Sequence, residues 1–82
     1  MEDAIGFINA NKNRLKILEI LESKGAAESK RVAKVARLIP SAVDSLLEGM
    51  ESGGLVQKTA DGKVDLTAEG KSALDMIRSL KA

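Results

Sequence analysis

IPSAVDSLLEGMESGGLVQKTADG, residues Ile39 to Gly62, reads as a helix, a glycine stop, a strand and a tight turn. Pro40 suits the first position of a helix, where its missing N–H would have no partner anyway. Val43, Leu46, Leu47 and Met50 recur at helical spacing and form one apolar face. Gly53 and Gly54 follow the last apolar residue and stop the helix, since glycine takes the left-handed conformation without steric cost. Leu55-Val56 begins an extended run. Asp61-Gly62 is a two-residue hairpin signal, and Lys63-Val64-Asp65-Leu66 reads as the returning strand. A type I′ turn there puts Lys58 across the ladder from Asp65, with Lys63 at the tip.

The flanking sequence fits around this unit. Ala4, Ile5, Phe7 and Ile8 predict a short amphipathic helix within residues 1–10, and the asparagines at 9, 11 and 13 predict a break after it. A second helix is expected from Lys12 to Ser23, with Leu15, Leu18 and Leu21 on one face and Lys24-Gly25 as its stop. Ser29 is a good N-cap for a helix from Lys30 to Leu38 that buries Val32, Val35 and Ala36. Leu38-Ile39 then makes the turn into the Pro40 helix. Thr67 caps a last helix from Ala68 to about Leu80, with Ala73, Leu74, Ile77 and Leu80 inward. Gly70 in its first turn implies close packing against another helix. A helix that runs into a short antiparallel hairpin, preceded by two helices, is a winged helix-turn-helix, mostly α with a small β wing. The expected organisation is one domain over residues 1–82: an N-terminal helix at 1–10, the helix-turn-helix and wing at 12–66, and a C-terminal helix at 67–82.

Composition removes several function classes. The chain has 82 residues, with no Cys and no His. Disulfides, thiol chemistry and the usual zinc ligand sets are therefore absent from the sequence, and so is the commonest general base near neutral pH. Phe7 is the sole aromatic residue, which leaves no stacking platform of the kind single-strand binders use. No apolar run approaches the roughly 20 residues of a membrane span, and no signal peptide is visible, so a cytoplasmic location is expected. Gly70-Lys71-Ser72 resembles the end of a phosphate-binding loop, but the required earlier glycine falls at Asp65. Asp61 and Asp65 flank a hairpin with no third ligand nearby. No catalytic, cofactor or metal site is expected, and a non-enzyme follows.

The segments Pro40-Ser41-Ala42-Val43, Gly54-Leu55-Val56 and Leu66-Thr67-Ala68-Glu69-Gly70 carry a family resemblance. Between about Arg14 and Leu80 the chain resembles the recognition helix, wing and following helix of MarR-like and related bacterial and archaeal regulators. The resemblance implies that Ala26 to Glu28 is a brief strand on the wing, and that the terminal helices build a dimer. It also implies transcription regulation through DNA. Three positions depart from the family pattern. Ile39 stands where a Ser or Thr cap is usual, which suggests a staple-like packing role. Ser45 and Gly49 are small and neutral where basic or polar DNA contacts are common.

Charge patterning supplies the candidate site. Lys30, Arg31, Lys34 and Arg37 lie within eight residues, with no acidic residue among them. At 100° per residue they gather opposite Val32 and Ala36. This is either a solvated basic face or a grip on the phosphate backbone, which the helix before a recognition helix crosses. The Pro40 helix presents Ser41, Ala42 and Ser45 outward, with Asp44, Glu48 and Glu51 as an acidic edge. Serine hydroxyls touch either base type and Ala42 suits a thymine methyl. The predicted DNA contacts are therefore Lys30, Arg31, Lys34, Ser41, Ala42, Ser45, Lys58 and Lys63. Double-stranded DNA is the expected partner. The alternative is a winged-helix protein-interaction module whose acidic edge steers a protein partner. The apolar residues around Ile5 and Ile8 and around Met76, Ile77 and Leu80 either pack on each other or join two copies in a homodimer.

Overall fold

The computed structural model describes residues 2–81, with the side chains of 3–80; Met1 and Ala82, which the predicted terminal segments include, lie outside the described residues. The order is α1 (Glu2–Asn9), α2 (Lys12–Lys24), α3 (Ser29–Ala36), α4 (Pro40–Ser52), β1 (Val56–Lys58), β2 (Val64–Leu66) and α5 (Ala68–Lys81). This is the winged helix-turn-helix. α3 and α4 pack on each other as the helix-turn-helix, and β1–β2 forms the wing.

Local chemistry sets each boundary. Asn11 caps α2, its side-chain oxygen accepting from the Asn13 N–H at 2.9 Å. Gly25, at φ +80°, ends that helix while its N–H returns to the Leu21 carbonyl at 2.8 Å. Glu28, not Ser29, occupies the N-cap of α3, and no side chain caps that end. α3 also stops at Ala36, two residues short of Leu38. Arg37 turns into the left-handed region at φ 60°, and the Leu38 N–H closes onto the Ala33 carbonyl at 3.0 Å. That six-to-one bond is the signature of a Schellman stop. At the end of α4, Gly53 stays right-handed (φ −81°), and Gly54 (φ +78°) makes the reversal.

The hairpin register differs from the expected one by one residue. Asp65 lies opposite Gln57, and Lys58 lies opposite Val64. The loop holds three residues, not two. Thr59 N–H bonds to the Lys63 carbonyl at 2.8 Å, and Gly62 N–H returns to the Thr59 carbonyl at 3.1 Å. Gly62 alone in that loop has positive φ (+83°), which excludes a type I′ turn at Asp61-Gly62. The Thr59 hydroxyl, hydrogen-bonded to the Asp61 carboxylate, stabilises the wider loop and holds Asp61 below its ordinary acid range. Ala27 joins Val64 from the other side by two backbone bonds of 3.0 and 2.8 Å. The brief strand implied by the resemblance is this single bridge.

The core is aliphatic and gathers Ile8, Ile17, Leu18, Leu21, Val32, Val43, Met50, Leu55, Leu74 and Ile77 around α2. No polar or charged side chain is buried among the described residues. Two expected core positions fall outside it: Val35 is exposed, and Leu80 is 71% exposed. Ile8 and Ile77 are buried within the chain, so the apolar faces of α1 and α5 are largely used on each other and on α2, leaving Met76 and Leu80 outward. Gly70 is indeed a close-packing site, but its neighbour is the chain entering β1, not a helix: the Leu55 carbonyl occupies the space a side chain would need. Among the described residues no helix is long and apolar enough to cross a membrane.

Candidate nucleic-acid interface

α3 faces the core with Val32, Ala33 and Ala36. The remaining arc carries Lys30, Arg31 and Lys34, with Arg37 at the cap, and all four are exposed. No ion pair joins any of them to a carboxylate among the described residues. Two cations of α5 are used differently. Arg78 of α5 pairs with Glu22 at 2.5 Å and Glu19 at 3.9 Å, and Lys71 pairs with Glu22 at 3.2 Å. These pairs brace α5 against α2. The two hydrogen bonds, Arg78 first and Lys71 second, hold Glu22 below the usual carboxylate range. Sequence spacing gives no warning of this brace, because its partners are about fifty residues apart.

α4 buries Val43, Leu47 and Met50 and turns Ser41, Ala42 and Ser45 to solvent. Glu48 and Ser52 share that outer side. Gly49 does not: it is half-buried, and a Cβ built on it would lie 3.6 Å from the Phe7 ring of α1. This position thus faces α1 rather than the outer side of α4. The Arg14 guanidinium sits 3.8 Å over the centre of the same ring and donates through Nη1 to the Phe7 carbonyl at 2.6 Å. This clamp fixes the C-terminal end of α1 to α2, beside α4.

Ile39 is the clearest departure from expectation. It is the N-cap residue of α4 and is 71% exposed, with no staple contact. Leu38 is instead the residue of this turn that packs against the core. A sequence in which both residues are aliphatic does not reveal which one turns inward; the Schellman geometry at Arg37 decides it.

The wing adds its two lysines unequally. Lys58 is exposed and free of ion pairs among the described residues. Lys63 is half-exposed and 3.7 Å from Asp61, so its charge is partly balanced at the tip. Between α4 and the wing lies an open cleft of about 680 Å³. Leu47, Val56 and Val64 floor it, and Asp44, Glu48 and Glu51 line its α4 side. The eight predicted contacts thus occupy three elements: α3 with cations, α4 with two serines and Ala42, and the wing with Lys58 and Lys63.

The combination of a basic helix before the turn, a serine-rich helix after it and a two-stranded wing can be compared with known folds. The fold is that of MarR-like winged-helix regulators. The chain matches a MarR family protein from Bacillus stearothermophilus at a TM-score of 0.76 and 21% identity, over 95% of this chain and 69% of that one. It matches the MarR family transcriptional regulator from Silicibacter pomeroyi at 0.71 and 23% identity, over 98% and 65%. A protein assigned as a transcriptional regulator from Pseudomonas aeruginosa matches at 0.75 and 29% identity, over 79% of this chain and 48% of that one. The winged helix therefore spans between about half and about two thirds of these proteins' length. No protein-family model and no curated protein matches the sequence.

Proposed function

We propose that this winged helix binds double-stranded DNA as a small, non-catalytic transcription regulator of the cytoplasm. The observation that carries the reading is the set of four exposed cations on α3 and its cap, none paired with a carboxylate among the described residues. In a helix-turn-helix that element crosses the phosphate backbone. Lys30, Arg31 and Lys34 neutralise phosphates there, Lys58 and Lys63 do so from the wing, and Ser41, Ala42 and Ser45 enter the major groove. The kinship of fold with transcriptional regulators supports the same reading. Met76 and Leu80, 44% and 71% exposed, would join two copies in a homodimer through α1 and α5. Two-fold symmetry would then set half-sites about one helical turn apart.

A second reading has its own support. Asp44, Glu48 and Glu51 are exposed, lack cationic partners among the described residues and line the cleft beside the wing. A basic protein partner suits that edge, and winged helices serve protein contacts as readily as DNA. Neutralising the edge separates the two readings. A D44N/E48Q/E51Q variant binds mixed-sequence duplex more tightly than the parent if α4 approaches phosphates. Unchanged, negligible duplex affinity in both proteins would favour the protein-partner reading.

A further inference from the structure

The side chains on α4 limit which base edges it can read. Guanine is read through Arg or Lys, and adenine through Asn or Gln, each by a bidentate pair. From Ile39 to Val56 the chain contains none of these four residue types. What the N-terminal end of α4 offers instead is apolar surface and hydroxyls. Ile39 is 71% exposed, and Ala42 and Ser41 are exposed beside it. Ile39 is also held firmly in place. Its carbonyl accepts from the Ala42 N–H at 3.0 Å and the Val43 N–H at 3.1 Å, so its backbone is part of the first helical turn. The N-terminal residues of a recognition helix are the ones that meet base edges. The one apolar mark on a major-groove edge is the C5-methyl group of thymine.

We infer that Ile39 is a specificity-determining residue that reads thymine methyl groups, with Ala42 extending the same apolar contact. The inference rests on the DNA-binding reading above and adds the base class to it. An isoleucine turned into water at the lip of α4 gains by covering a methyl group that is otherwise hydrated. A serine cap at this position would offer a hydroxyl and lose that contact. The cations of α3, Lys30, Arg31 and Lys34, hold the phosphate backbone, and the apolar lip discriminates among bases.

The test uses the full chain and a pool of random duplexes. Rounds of selection are expected to enrich thymine at one or two positions of each bound site. Replacing those thymines by deoxyuridine removes the methyl group and leaves pairing intact. Wild-type affinity is expected to fall roughly fourfold per methyl removed. I39A, a surface change that leaves the core untouched, is expected to distinguish thymine from deoxyuridine duplexes far less than the parent, keeping only the share that Ala42 supplies, with the salt dependence of the parent. Salt-dependent binding without thymine enrichment would overturn the inference and leave DNA binding standing. So would a methyl effect that survives undiminished in I39A. Absence of duplex binding at low salt would overturn both.

Discussion

Gly70 of α5 lies flat against the backbone of Leu55, and a Cβ at that position would collide with the Leu55 carbonyl while meeting Leu66 Cδ2 at 3.3 Å. The contact locks the first turn of α5 to the entry of the wing. Thr67 completes the joint: its N–H donates to the Leu55 carbonyl at 3.1 Å, its hydroxyl donates to the Gly54 carbonyl at 2.5 Å, and it accepts from the Gly70 N–H at 3.0 Å. Gly70→Ala should therefore destabilise the protein despite alanine's better helix propensity. Overpacking against backbone outweighs the propensity gain of about 1 kcal/mol, and a net loss of about 2 kcal/mol is expected. Gly6, inside α1 with nothing within 4 Å of its would-be Cβ, provides the control. Gly6→Ala should gain about 0.5–1 kcal/mol. Urea unfolding midpoints of the two variants should shift in opposite directions.

The brace between α2 and α5 predicts an acid-sensitive increment. Arg78 and Lys71 hold the folded-state acidity of Glu22 below its ordinary value of 4.5. As pH falls, the unfolded chain takes up this proton first. The stabilisation is thus complete above about pH 4.5 and is lost as pH drops through the lower folded value. Glu22→Gln should be less stable than the parent at pH 7, by about 1 kcal/mol or less given the partial exposure of the pair. The difference between the two proteins should shrink when unfolding is measured near pH 3.

Arg37 offers a trade between stability and binding. It is the one non-glycine residue at positive φ among those described. A left-handed arginine costs roughly 1 kcal/mol, which glycine would avoid. Arg37→Gly should raise the unfolding midpoint while weakening duplex binding, because it removes a cation beside the turn. A variant that gains stability with unchanged DNA affinity would remove Arg37 from the interface.

The Arg14–Phe7 clamp predicts a local effect. Arg14→Ala loses both the stacking on the ring and the bond to the Phe7 carbonyl. The expected loss is about 1–2 kcal/mol. Amide exchange should accelerate mostly in α1, since α2 is anchored independently by Ile17, Leu18 and Leu21.

Much of this fold is legible in local chemistry. Pro40, the glycines at 25 and 54, Asn11 and Thr67 mark their helix ends in the sequence, and the 3.6-residue spacing of Val43, Leu47 and Met50 gives the inner face of α4. The misreadings arise where two local solutions are close in energy. Asp61-Gly62 favours a two-residue turn by type, yet the Thr59 hydroxyl supports a three-residue loop and shifts the register by one. Val35 and Leu80 fit the apolar period but sit on its edges, where the neighbouring helix does not reach. Leu38 and Ile39 are interchangeable by hydrophobicity, and only the left-handed Arg37 decides that Leu38 turns inward. The basic arc of α3 was legible because helical geometry alone gathers it. The clamp on Phe7 and the Glu22 brace were not, since both depend on how helices meet.

The most direct measurement is binding of the full chain to mixed-sequence duplex DNA across a salt series, beside a K30A/R31A/K34A variant whose fold is checked by circular dichroism. Micromolar binding that weakens steeply with salt is predicted for the parent. The triple variant should bind far more weakly, with a log–log salt slope shallower by about 2.7, the value for three lost phosphate contacts. A well-folded parent that ignores duplex DNA at low salt, or a triple variant that binds with the parent's affinity and slope, would contradict the phosphate grip by α3.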